Sequence, residues 1–224
     1  MDDLVIILMT YNRLELAKRT VIGLRDNLIY EDGNIHWIIC DDSSDNHEDY
    51  VASLQALMPS KAFIVNGERK GVGYMVNRAL AFAHNITPLT LIMEDDWELR
   101  SEFNITPYAR IFFSIPVGYV RFGYLSPGAG GHLYSINGQI YFSFEDKSFT
   151  YNAAGHPHLT HKRYYDYYGY YPEGVSPGET ELQRCAQFNA KNDGPAIVYP
   201  INIAPNGVFP HIGSESLNTV EPVI

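Results

Sequence analysis

With 224 residues, 46% of them hydrophobic and 13% aromatic, the chain is long enough to bury one sizeable core and too apolar for a disordered segment. Its 26 acidic against 16 basic side chains give a formal net charge of -10, which repels nucleic acid at long range and argues against it as a partner. The apolar run Leu4 to Met9 is too short for a membrane span or a signal peptide, and Asp2 and Asp3 precede it rather than Lys or Arg, so a soluble, cytoplasmic protein is expected.

Leu4 to Met9 has the unbroken apolar character of a buried strand, and Thr10-Tyr11-Asn12-Arg13 reads as the turn that leaves it. Leu14, Ala17, Val21, Leu24 and Leu28 recur at helical spacing. Ile35 to Cys40 is a second strand, and its tip, Asp41-Asp42-Ser43-Ser44-Asp45, suits the N-cap of a helix through Val51, Leu54 and Met58 that Pro59 halts. Phe63 to Val65 predicts a third strand. The loop Asn66 to Gly73 and a helix from about Tyr74 to His84 follow. Gly71-Val72-Gly73 lacks the third glycine of a dinucleotide fingerprint and reads as a tight turn that brings the next helix close. Cys40 and Cys185 fit small core residues better than a disulfide framework.

Leu89 to Met93 is a fourth strand, and it runs directly into Glu94-Asp95-Asp96. Open α/β sheets bind ligands outside the carboxyl ends of their strands, so three carboxylates at this tip are well placed to hold a hard divalent cation. The strand and helix alternation implies a largely parallel sheet with helices on both faces. After Trp97 the alternation stops, which divides the chain into residues 1–98 and 99–224 of what reads as a single domain. In the second part Tyr108 to Ile115 reads as a helix, Tyr119 to Leu125 as a strand, and His132 to Phe144 as a hairpin turning at Asn137-Gly138. Thr150 to Pro172 is dense in tyrosines, which offer flat faces against which a ligand ring can pack, and His156, His158 and His161 are expected to line that pocket. A helix from Glu179 to about Lys191, a strand at Ile197 to Tyr199 and a tail containing His211 complete the chain.

Five segments in order, Val5 to Arg13 (VIILMTYNR), Ile38 to Ser44 (IICDDSS), Arg69 to Asn77 (RKGVGYMVN), Leu91 to Asp96 (LIMEDD) and Gly178 to Arg184 (GETELQR), resemble the family 2 glycosyltransferases of GT-A fold. The resemblance implies a Rossmann-like, nucleotide-sugar-binding first half and a smaller mixed α+β acceptor-side half. It implies transfer of a sugar from a UDP-sugar to an acceptor hydroxyl with inversion, dependent on manganese or magnesium. Tyr11, with Thr10, Asn12 and Arg13 beside it, matches the residue that stacks on uracil, and Asp42 the carboxylate that accepts the uracil N–H. Arg69 and Gly71 fall in the loop near the nucleotide, and Asn77 on the helix that follows is expected to face the nucleotide edge. Asp96 matches the principal metal ligand, Asp95 the ribose or outer metal contact, and Glu94 opens that signature; His211 is a candidate further ligand. The family's proton acceptor is the second acid of a pair opening a helix, but here Thr180 stands between Glu179 and Glu181. Both remain candidates, with Glu179 favoured for its closeness to the helix start.

Two other readings compete. A sugar nucleotidyltransferase would also use a doubly wound sheet and metal-binding acids, but it calls for a Gly-rich phosphate loop where this chain has Thr10 to Arg13. A catalytically silent carbohydrate-binding module would keep the fold and bind sugar without nucleotide.

Overall fold

A computed structural model describes residues 2–123, 131–144, 153, 155–191, 193–201 and 207–213. Its elements in chain order are β1 (Leu4–Thr10), α1 (Leu14–Asn27), β2 (Leu28–Ile29), β3 (Ile35–Asp41), α2 (His47–Gln55), β4 (Phe63–Asn66), α3 (Val72–Ala83), β5 (Leu89–Glu94), β6 (Phe103–Asn104) and α4 (Thr106–Arg110). After a 3-10 turn at Ile111–Phe113 come β7 (Val117–Arg121), β8 (Gly131–Ile136), β9 (Gln139–Phe144), β10 (His158–His161), α5 (Lys162–Tyr168), α6 (Pro177–Asn189) and β11 (Ala196–Pro200).

The main sheet has the order β4-β3-β1-β5-β10-β7-β11-β9-β8. β1 is central to its parallel part, with Ile7 opposite Ile38 of β3 and Ile92 of β5. All seven β1 residues are buried, as the absence of polar alternation in the sequence requires of a strand covered on both faces. Successive side chains divide between two cores. Leu4, Ile6 and Leu8 pack with Val21, Leu24, Leu54 and Phe112 on one face. Val5, Ile7 and Met9 pack with Val76, Leu80, Tyr164 and Phe188 on the other. Each core takes residues from both sides of residue 98, so the later half completes the first half's packing. Cys40 and Cys185 are both free and buried. Among the described residues no helix is long and apolar enough to cross a membrane.

Several sequence expectations are corrected. The tip of β3 does not cap α2 with an acid: Asn46, in the left-handed conformation, precedes the helix without a side-chain cap bond. Asp41 instead turns inward, accepting the Ser44 amide at 3.0 Å and pairing with His47. α2 ends at Gln55 rather than reaching Met58. The helix expected over Tyr108 to Ile115 is the short α4 followed by the 3-10 turn. The strand expected over Tyr119 to Leu125 is β7, and Leu125 lies outside the described residues. At the hairpin, Asn137 and Gly138 both take positive φ, 50° and 80°, the conformation a two-residue turn between strands demands.

β10 and α5 lie inside the stretch expected to be a pocket lining. β10 fits between β5 and β7, antiparallel to both, with Leu159 opposite Leu91 and Val120. α5 holds Tyr164, Tyr165 and Tyr168 in the second core, where packing outweighs the modest helix propensity of tyrosine. Residues 150–152 of that stretch lie outside the described residues.

Candidate active site

The tips of β1, β3 and β5 carry the polar residues that the apolar strands beneath them hold in place. Asp95 is fully buried. Its Oδ2 accepts the Thr10 hydroxyl at 2.8 Å and the Tyr11 amide at 3.4 Å, and its Oδ1 meets the Arg13 guanidinium at 2.6 Å. Asp96 Oδ2 meets the other fork of Arg13 at 2.6 Å and lies 3.3 Å from His211 Nε2. His211 reaches this point because its segment is sewn to the acidic tip: Ile212 N donates to Asp96 O at 2.7 Å and Glu98 N to Pro210 O at 3.1 Å. Residues 97 and 211 form a β-bridge, and their rings stand 4.9 Å apart. Arg13 therefore places one positive charge against two adjoining carboxylates.

Burial pushes the Asp95 carboxyl up to about 6, against the pull of Arg13 and Thr10. Burial, with the charge of Asp96 next to it, pushes Glu94 up to about 7.

Two cavities open above these tips. The first, about 410 Å³, is lined by Thr10, Tyr11, Arg13, Asp42, Gly71 and Glu94 among others. The second, about 310 Å³, is lined by Glu94, His156, His158, Tyr171, Glu181, Arg184 and His211 among others. Met9, Val72, Glu94 and Pro177 line both, so the two hollows are neighbours that share a wall. Asp96 lines neither and is tied to the first through Arg13 and to the second through His211.

Within the first cavity Asp42 accepts the backbone amides of Lys70 at 3.0 Å and Gly71 at 3.1 Å, which fixes its carboxylate and the loop against each other. Arg69 stands over the exposed Tyr11 ring at 5.9 Å and lies 3.5 Å from Asp45. Gly71, at φ 84°, precedes α3. Asn12 faces away from both cavities and joins the strand tips: its amide donates to Ser44 Oγ at 2.8 Å and its Oδ1 accepts from Asp45 N at 2.7 Å.

Asn77 does not face the nucleotide edge as expected. It clamps the 171–173 loop, donating to Tyr171 O at 2.9 Å and Glu173 Oε1 at 2.7 Å while accepting from Tyr171 N at 2.9 Å. The clamp explains Gly73, since a Cβ built there would lie 1.8 Å from the Pro172 carbonyl oxygen. The close approach is to this loop, not only to the sheet. The loop in turn presents Tyr171 to the second cavity.

The preference for Glu179 fails on geometry. Ser176 caps α6 by accepting from the Glu179 amide at 3.3 Å, and the Glu179 side chain stays on the exposed face, bonded to Gln183 at 2.8 Å. Two residues on, about 200° around the helix, Glu181 lines the second cavity and accepts the Gly155 amide at 2.6 Å. His156 and His158 line the same cavity. Burial lowers both imidazoles to about 3, helped by the Arg121 charge at His156, so both are neutral. His161 does not join them; it caps α5 by accepting from Arg163 N at 3.1 Å.

The donor set suits a divalent cation. Asp96 Oδ1 is buried without a hydrogen-bond partner among the described residues, and the carboxylate and imidazole of Asp96 and His211 are a pairing that manganese accepts. Among the described residues no group of three or more His, Cys, Asp or Glu side chains converges on one point, so further ligands would have to come from a bound substrate. Arg184 was not singled out for a role of its own from the sequence. It looked like the polar end of a helix motif, and only its depth in the second cavity reveals it.

The glycosyl transferase family 2 model matches residues 5–161. No curated protein matches the chain in sequence. Among solved structures, S. aureus TarS 1–349 matches with TM-score 0.59 and 15% identity, over 89% of this chain and 60% of that one. The same fragment in complex with UDP-GlcNAc also matches, with TM-score 0.59 and 15% identity over 89% of this chain and 58% of that one. The mannosyltransferase PcManGT from Pyrobaculum calidifontis, in complex with GDP-Man and Mn2+, matches with TM-score 0.61 and 17% identity, over 96% of this chain and 59% of that one. This chain spans about three-fifths of those structures, and the likeness is one of fold. The fold is that of GT-A glycosyltransferases, and with the family model covering well over half of its length, the chain belongs to glycosyl transferase family 2.

Proposed function

We propose that this protein is a metal-dependent, inverting glycosyltransferase that moves a sugar from a UDP-sugar to an acceptor hydroxyl. The observation that carries the reading is the wall of Met9, Val72, Glu94 and Pro177 shared by the two cavities, which sets a nucleotide-sized hollow beside one that contains Glu181. Uracil stacks on Tyr11 with Arg69 at its edge, and Asp42 accepts its N–H; Lys70 and Gly71 hold that carboxylate in place. Thr10 and the Tyr11 amide hold Asp95 buried beneath the donor hollow, where it fixes the Arg13 guanidinium. Asp96 and His211 hold manganese or magnesium, which supplies Lewis-acid neutralisation of the diphosphate when bound. Arg13 is the chain's own cation at that place and adds to the same neutralisation.

In the second cavity Glu181 takes the proton of the acceptor hydroxyl as the hydroxyl attacks the anomeric carbon and the bond to the diphosphate breaks. The Gly155 amide fixes one of its oxygens and leaves the other for the proton. Residues 1–98 thus serve the nucleotide, and residues 99–224 supply the base and much of the second cavity, where the donor's sugar meets the acceptor hydroxyl. A panel of UDP- and GDP-sugars, assayed for nucleoside diphosphate release with and without manganese, tests this. Release from a UDP-sugar that is lost with chelator and in Asp96→Ala is expected. Sugar binding with no affinity for any nucleotide would instead favour a carbohydrate-binding module.

A further inference from the structure

Arg184 is the most deeply buried cation in the molecule's described part, 2% exposed, and it lines the second cavity. None of its Nε, Nη1 and Nη2 atoms has a hydrogen-bond partner among the described residues. Its guanidinium lies over the Tyr171 ring at 3.8 Å, with the Tyr164 and Tyr165 rings at 5.1 and 5.4 Å. Aromatic faces shelter the plane of the group and offset part of its desolvation, yet they accept no N–H bonds. A buried charge with its donors unpaired is strongly destabilising, and the ordinary remedy, a carboxylate of the same chain, is missing among the described residues. Glu181, one helical turn earlier on α6, is engaged by the Gly155 amide instead.

We propose that Arg184 is a specificity residue that receives the carboxylate of a uronic acid, so that the sugar entering the second cavity carries an anionic C6 group. This rests on the donor reading given above. The guanidinium fork matches a planar carboxylate with two parallel N–H···O bonds. A cavity of about 310 Å³ is at the small end of ligand pockets and suits one sugar ring. The wall it shares with the nucleotide hollow places it next to the diphosphate, within reach of the ring attached to the nucleotide. Glu94 and Glu181 in the same wall disfavour a phosphate dianion more than a singly charged carboxylate.

The test is calorimetric titration of wild-type protein, with manganese, by UDP, UDP-glucose and UDP-glucuronate, and by UDP-galactose and UDP-galacturonate as the second pair. A charge-assisted bidentate contact in a buried site predicts a uronate bound about tenfold to a hundredfold tighter than its matching hexose. Arg184→Lys, which keeps the charge but not the fork, and Arg184→Met are expected to bring that ratio toward one. Melting curves establish that each variant folds, and where one does not, the wild-type ratio decides. UDP binding with equal affinity for uronate and hexose donors overturns the inference and leaves the donor reading standing. Failure of every UDP compound to bind overturns the donor reading, and the inference with it.

Discussion

The second cavity makes the protein acid-sensitive through His158. That imidazole is 2% exposed, and it stacks on Tyr119 with centroids 4.5 Å apart and planes 9° from parallel. Its Nδ1 donates to the His156 carbonyl at 2.6 Å, which stabilises the protonated ring somewhat, while Tyr171 Oη stands 3.3 Å from Nε2. The charged groups facing it, Arg184 and Arg121, both oppose protonation, and burial opposes it most, lowering the group from 6.5 to about 3. In the unfolded chain the same histidine titrates near 6.5, so below that pH the unfolded state binds the extra proton and stability falls as pH falls. The contribution is fully present above pH 6.5 and is lost progressively down to about pH 3. Between pH 6.5 and 4.5 the two-unit gap is worth about 2–3 kcal/mol at 1.36 kcal/mol per unit. Urea unfolding of wild type and His158→Gln at pH 7, 6, 5 and 4.5 measures it. Glutamine retains a donor for the His156 carbonyl and cannot titrate, so the variant is expected to lose about 2–3 kcal/mol less than wild type across that range. Parallel stability curves for the two proteins would refute the reasoning, whatever the variant's absolute stability.

Replacing Glu181 by Gln is expected to lower kcat about a hundredfold to ten-thousandfold, the usual worth of a positioned base, while Glu179→Gln leaves it within about twofold; the reverse order would return the role to Glu179. Arg13→Met leaves the Asp95 and Asp96 carboxylates without their cation, and because Arg13 is half-exposed the expected loss is about 1–2 kcal/mol, below that of a fully buried pair. Added manganese should raise the melting temperature of Arg13→Met more than that of wild type, and equal shifts would contradict a common cation site. Gly73→Ala forces the Pro172 carbonyl away from α3, with an expected cost of about 1–3 kcal/mol, whereas Gly178→Ala, with open space around it, should be neutral or slightly stabilising by chemical denaturation.

Where the first hundred residues obey one period per element, the sequence was legible: Leu4–Thr10, Ile35–Asp41 and Leu89–Glu94 are largely buried on both faces, so mainly apolar runs ending in a polar or acidic residue point to strand tips at a crevice. Side-chain direction was not. Glu179 and Glu181 differ only by their phase on α6, which Ser176 sets by capping one turn before, and closeness to the helix start was a poor guide to it. Asn77 shows the same limit, because its partners Tyr171 and Glu173 lie about ninety residues away in a loop no periodicity marks. In the tyrosine stretch, β10 and α5 follow one another without a turn residue between His161 and Lys162, and each is stabilised by tertiary packing rather than by propensity. Arg184 was hidden for a related reason: arginine in a helical pattern reads as a solvated face, and nothing local signals that three tyrosine rings enclose it.

The central claim is that one hollow holds a uridine diphosphate against a metal carried by Asp96, and calorimetric titration of UDP tests it most directly. With manganese, wild-type protein is predicted to bind UDP at one site, and chelator, Asp96→Ala or Asp42→Ala is each predicted to weaken binding about tenfold or more. Binding of UDP that neither chelator nor Asp96→Ala alters would contradict the account.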